Sequence, residues 1–242
     1  AAILCVDDPV IREIQPRITD ADLAEEARLF TKQEAVHAAA HAKHVKALIA
    51  RYPGLATTRE RSIAEFARWR EELPLQDNLC AIAALEATFT PSFKLIIDHR
   101  EALMGGGDPR VASLLLWHFS EEIEHRSSAL KIHRHVYRDR LGPIRRFPEI
   151  RRRISAFLGM LREEFRAHVP REESSTRGQR AFSQVPRLDK WLASARILAS
   201  QTPWHDPGNA AIPDGALAWF EAYGRGEDMT RFLGSPVRSS PD

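Results

Sequence analysis

Glu34, His37 and His41 stand at i, i+3 and i+7 in the stretch "QEAVHAAAHAKH". His118, Glu122 and His125 stand at i, i+4 and i+7 in "WHFSEEIEHR". On a helix, residues three or four apart are neighbours, so each triplet falls on one face within roughly 60°. Carboxylate and imidazole together suit divalent iron, manganese or zinc. One Glu-x-x-His pair on each of two facing helices is how helical bundles build metal centres. Leu114, Leu115, Leu116, Trp117 and Phe119 surround the second triplet. A solvated face would explain the charges but not these neighbours, and buried polar groups need partners.

Glu86 extends the pattern. It is the only acidic residue between Asp77 and Asp98, in the apolar stretch "NLCAIAALEATFT", where a carboxylate is costly unless paired or metal-bound. The expected ligands are therefore Glu34, His37, His41, Glu86, His118, Glu122 and His125. For His41 and His118 an alternative is a hydrogen bond to a ligand from behind. Glu121, within about 60° of His118 on the helix, is a candidate general base. A two-ion centre needs one more carboxylate from an N-terminal helix, where only Asp7, Asp8 and Glu13 are available and Pro9 interrupts. His44, His99, His133 and His135 read as surface or satisfied core histidines.

The elements that must position these residues are all helical. Asp20 or Asp22 can cap a helix running to about Ala50, where Tyr52-Pro53-Gly54 stops it. A short amphipathic helix follows from about Thr58 to Glu72. A third spans about Gln76 to Leu103, kinked at Pro91. Asp108-Pro109 opens a fourth that continues to about Arg140 and ends at Gly142-Pro143. A basic amphipathic helix comes next, then a polar stretch near 170–187 expected to be a mobile loop. Helices near Lys190–Ser200 and Gly215–Gly224 precede a tail expected to be disordered. No strand alternation and no repeat is visible. The expected architecture is all-α: an up-down helical bundle at 1–140 carrying the metal site, with a helical annex at 141–242.

Composition narrows the class. Hydrophobic residues make up 43% of the 242 and charged residues 28%, with 35 basic against 33 acidic side chains. That balance argues against nucleic-acid binding by bulk charge. Cys5 and Cys80 are the only cysteines, so neither a disulfide framework nor a thiolate cluster is expected, and a cytoplasmic setting fits. No uncharged apolar run of membrane-spanning length stands out. The arginine-rich helix near 144–158 reads as a solvated face over a core stripe, so membrane contact is not expected. A small-molecule substrate is, and self-association is left open.

The stretches "FTKQEAVHAAAH", "ALEATFT" and "WHFSEEIEHRSSAL" resemble the bacterial family called predicted metal-dependent hydrolases. The "TPWHDP" near the C-terminus is similar to a His/Pro/Trp turn of that family. The resemblance implies a ferritin-like bundle and metal positions at Glu34, His37, His41, Glu86, His118, Glu122 and His125. The family's N-terminal Gly-Glu pair has no counterpart near Ile3-Leu4. The His-x-x-x-Glu-x-x-His helix also resembles di-iron N-oxygenases that act on aryl amines. Three functions are open to such a centre. The first is oxidation of a small organic substrate with O2 by two metal ions, iron first and manganese or zinc next. The second is hydrolysis by metal-activated water. The third is metal binding without catalysis. "MGGGDP" is glycine-rich but lacks a lysine, so it reads as a connector, not a phosphate loop.

Overall fold

The computed structural model describes residues 9–170, 173 and 181–234. Among these there is no strand, and the fold is an all-α helical bundle. α1 (Pro9–Ile14) turns the chain into α2 (Ala21–Arg51). The Asp20 carboxylate accepts from Leu23 N at 2.8 Å and starts α2, satisfying one of its orphan donors. α3 (Leu55–Glu72) and α4 (Leu75–Glu86) form a hairpin. The amide of Asn78 closes it by donating to the carbonyls of Arg70 and Leu73.

The third expected helix is three helices. α4 ends at Glu86, α5 covers Phe89–Asp98 and α6 covers Arg100–Met104. The break at Ala87-Thr88 lies just ahead of Pro91, whose missing N–H leaves the Ala87 carbonyl without its helical donor. Stopping α4 at Glu86 frees that side chain to reach across the bundle. The stretch Leu75–Asp98 is long and apolar enough, by length and composition alone, to cross a membrane. Part of it, including Leu79, Ala83 and Ile97, is buried in the protein's own core.

The fourth expected helix is also divided. α7 (Pro109–Glu124) begins as anticipated, with Asp108 accepting from Arg110 N at 2.9 Å. It stops at His125, and α8 (Ser128–Tyr137) starts in a new direction. Arg138, in the left-handed region at φ 53°, closes α8. Gly142-Pro143 therefore opens α9 (Gly142–His168) and does not end its predecessor. α9 packs on α4 and α3. α10 (Arg187–Ala199) and α11 (Asp214–Gly224) follow in the C-terminal part of the chain. Residues 171–172 and 174–180 of the 170–187 stretch and the tail from 235 lie outside the described residues; within 181–187, Val185 is buried.

Two cores flank the site. One joins Val10, Ile11 and Ile14 of α1 to Phe30 of α2, Leu79 and Ala83 of α4, and Leu130 and Ile132 of α8. The other packs Trp219 and Ala216 of α11 against Ile97 of α5 and Leu116 and Ile123 of α7.

Candidate metal centre

α2 and α7 bring their Glu-x-x-His pairs together. Glu34, His37, Glu122 and His125 each offer one ligand atom, and these four atoms lie within 4.8 Å of one another. His37 Nδ1 is 3.4 Å from Glu34 Oε1 and 3.3 Å from Glu122 Oε1. His125 Nε2 is 3.5 Å from Glu34 Oε1 and 3.7 Å from Glu122 Oε2. These separations are long for hydrogen bonds. They are close to the roughly 3.4 Å edge of a tetrahedron with metal–ligand bonds of about 2.1 Å. Glu34 Oε1, His37 Nδ1 and His125 Nε2 are buried without a hydrogen-bond partner. Three orphaned polar atoms converging on one point fit a cation, because leaving them unpaired carries a desolvation cost that coordination removes.

The neighbouring groups hold these four in place. Glu121 Oε2 accepts from His37 Nε2–H at 2.9 Å, while Glu121 Oε1 accepts from Trp117 Nε1–H at 2.6 Å. A carboxylate on the remote nitrogen of a ligating histidine fixes its tautomer and ring plane. Burial pushes the Glu121 carboxyl up, but hydrogen bonds from His37, Gln33 and Trp117 outweigh it and hold the group below its ordinary range. In this geometry Glu121 is engaged with His37 and Trp117 and orients the His37 ring. Replacing Glu121 by Gln is expected to weaken metal affinity about 10- to 100-fold without unfolding the chain; a competition titration with a chromogenic chelator reads this directly.

A chain of imidazoles stands behind Glu122. His118 Nε2–H donates to Glu122 Oε1 at 2.6 Å, and His41 Nε2 lies 2.7 Å from His118 Nδ1. One of these two facing nitrogens donates to the other, according to which carries the proton. Burial, with the charges of His118, His44 and His37, lowers His41 to about 3, so it stays neutral. His41 and His118 thus sit outside the four-atom group and brace it through Glu122. His125 caps the end of α7, φ −99° and ψ 17°, where Phe30 meets its ring edge-on at 4.8 Å. Trp117 packs edge-on against His37 at 5.0 Å.

Glu86 is buried at the end of α4 and also sits outside the four-atom group. Its Oε2 accepts from Ala129 N at 3.1 Å, at the start of α8, where a carboxylate also complements the helix dipole. Glu13 is exposed on α1 and is not part of the four-residue group; Asp7 and Asp8 lie outside the described residues. Among the other histidines, His135 bonds Thr19 and His99 lies 3.0 Å from Asp189. His133 is fully buried with neither ring nitrogen hydrogen-bonded; burial lowers it and keeps it uncharged. Arg126, which gave no signal as a functional residue in the sequence, anchors the turn after His125. Its buried guanidinium donates to the carbonyls of Ile123, Pro207, Gly208 and Ala210.

Carboxylates dominate the local field. Burial works against a charge on His37, but the hydrogen bond to Glu121 and the facing carboxylates of Glu122 and Glu34 prevail and raise it to about 11. The metal-free centre therefore holds a proton at neutral pH where a cation could sit. Because the folded value lies above the unfolded 6.5, this proton's contribution to stability is complete below pH 6.5. It is lost as pH rises from 6.5 to about 11. A divalent ion must displace the proton, so metal affinity is expected to rise about tenfold per pH unit near neutrality. Zinc binding measured at pH 6, 7 and 8 tests this, and a flat profile would remove His37 from the ligand set.

Beside Glu34, Glu86, His118 and Glu122 opens a cavity of about 470 Å³. Phe30, Phe89, Phe93 and Phe119 line it near the carboxylates, with Phe66, Trp69 and Ile154 farther out. Such a volume, mostly apolar with polar groups towards its two ends, suits a small organic molecule.

The profile of the family described as "Predicted metal-dependent hydrolase" matches residues 9–206. The chain belongs to this family. The matched span runs from α1 through the clamp residue Arg126 to Asp206, ahead of α11. No curated protein and no solved structure matches the chain.

Proposed function

We propose that this chain is a hydrolase that cleaves an ester or amide of a small organic acid, using a divalent ion held by Glu34, His37, Glu122 and His125. The observation that carries this reading is the buried four-atom group with its orphaned nitrogens and oxygen, opening on an apolar cavity. Membership of the hydrolase family supports it. Two imidazoles and two carboxylates with no thiolate suit zinc, with iron or manganese as alternatives. Bound there, the ion supplies Lewis acidity, polarising a carbonyl and acidifying water.

The chain's own side chains do the rest. Glu121 holds His37 in one tautomer, and the His41–His118 pair holds Glu122 ionised and oriented. The phenylalanine wall excludes bulk water, strengthening every charge interaction inside. Glu86 shares the cavity wall with Glu34 and Glu122 and is assigned the proton transfer. It takes a proton as water adds to the carbonyl carbon, then returns it to the departing alcohol or amine. The C–O or C–N bond breaks, leaving the acid. The Glu86→Gln variant keeps an acceptor for Ala129 N, so it should retain its metal while kcat falls about 100- to 1000-fold. Full activity in this variant would end the assignment of Glu86.

A second reading is O2-dependent oxidation at two iron ions. Glu86 favours it, as a third carboxylate on the same cavity wall. Metal content decides between them. One zinc per chain with ester cleavage supports hydrolysis; two irons with an oxygen-dependent near-ultraviolet change supports oxidation. Bound metal without turnover on either test would leave a metal-binding protein.

A further inference from the structure

The cavity continues from the carboxylates outward between α3, α4 and α9. Its α4 wall steps from Glu86 back to Asn78, eight residues that span about 12 Å at 1.5 Å each. Asn78 donates to the Arg70 carbonyl at 3.0 Å, so Arg70 marks the far end, where it lines the cavity. The two other arginines on this rim are neutralised. Arg146 forms a two-pronged pair with Asp77, and Arg153 pairs with Glu72 and Glu149. Among the described residues, no carboxylate lies within ion-pairing distance of Arg70.

An uncompensated guanidinium at one end of an apolar slot selects an anion, since its fork of donors matches a carboxylate. Asp77 and Glu149 on the same rim are engaged by Arg146 and Arg153, so the rim offers one uncompensated positive charge, which suits a head of one negative charge. The opposite end, with Glu34, Glu86 and Glu122, repels anions unless a cation is bound. One anionic head therefore has one favourable place.

We propose that the substrate is an elongated apolar ester or amide with a single carboxylate remote from the bond to be cleaved: the carboxylate on Arg70, the body against Phe66, Phe93 and Phe119, and the scissile group at the Glu34–Glu122 end. The placing of the scissile group rests on the hydrolytic reading; the anchoring by Arg70 does not. Selection among substrates then comes from distance, because the slot measures the separation between anion and reacting carbonyl.

Titration calorimetry on the full chain, zinc-loaded and metal-free, tests the anchoring with decanoate, decanol and decyl phosphate as probes. Decanoate is expected to bind more tightly than decyl phosphate. Arg70→Gln should weaken decanoate about tenfold, as for loss of a hydrogen bond to a charged group, and decanol less than about twofold. Ala81→Phe, filling the middle of the slot, should remove both decanoate and decanol with the thermal melt unchanged. Arg70 is exposed, so its variant is expected to fold. Unchanged decanoate affinity in Arg70→Gln, tighter binding of decyl phosphate, or no binding of decanoate by the wild type would each overturn the proposal. Turnover of the monomethyl ester of sebacic acid reads the hydrolytic reading separately. Arg70-dependent binding without zinc-dependent turnover would sink hydrolysis and uphold the anchoring.

Discussion

His125→Ala is expected to lower metal affinity by about two to three orders of magnitude, while His135→Ala leaves it unchanged. Structural metal sites of four ligands are worth about 10–16 kcal/mol, so one ligand accounts for about 2.5–4 kcal/mol. His125 Nε2 faces Glu34 and Glu122 at 3.5 and 3.7 Å and has no hydrogen-bond partner. Removing the ring takes away a donor that nothing nearby replaces, and leaves two carboxylates less compensated. His135, by contrast, bonds Thr19 at the end of the α1–α2 connection. The truncation also opens space beside Phe30, so the metal-free melting temperatures of both variants should be compared. Metal content after dialysis against zinc is the decisive measurement. Wild-type content in His125→Ala would show that the four-atom group is not the binding site.

Arg126→Met is expected to destabilise the chain by about 3 kcal/mol, lowering Tm by about 6–12 °C for a domain of this size. The guanidinium fork serves four carbonyls: Ile123 at the end of α7, and Pro207, Gly208 and Ala210 in the C-terminal turn. Burial lowers the Arg126 pKa, opposed by Asp206, yet the group stays charged because arginine starts so high. Methionine fills the volume but leaves the carbonyls unsatisfied. Arg126→Lys should recover less than half of the loss, because an ammonium cannot span four acceptors in fixed directions. Thermal melts read the size of the effect. Faster amide exchange at 207–212, with α3 and α9 unchanged, would locate it. A melt equal to wild type would mean that the turn holds without the clamp.

Much of this protein is written locally. A helix repeats every 3.6 residues, so Glu34/His37 and Glu122/His125 share faces wherever those helices lie. The Asp20 and Asp108 caps, Pro109 at a first turn and the Pro91 interruption are likewise decided within a few residues. That is why the all-α class and the elements carrying the candidate site could be read from the chain. The stop at His125 was less legible. Ser127-Ser128 is a capping signal, but the continuous apolar periodicity from Leu114 to Val136 masked it.

Beyond α7 the chain depends on distant partners. Arg126 needs the carbonyls of 207–210, and the start of α8 needs Glu86 from α4, 43 residues away. Periodicity places His41 on the same face as His37. Only the crossing of α2 over α7 decides that His37 meets the carboxylates while His41 meets His118. Glu121 lies within helical reach of His118, yet its partners are His37 and Trp117. Helical spacing determines which side chains look the same way; the angle and depth at which two helices meet determine which atoms touch. The candidate ligand types were therefore legible in one dimension. Their division into an inner group of four and the residues that orient it came from packing in three.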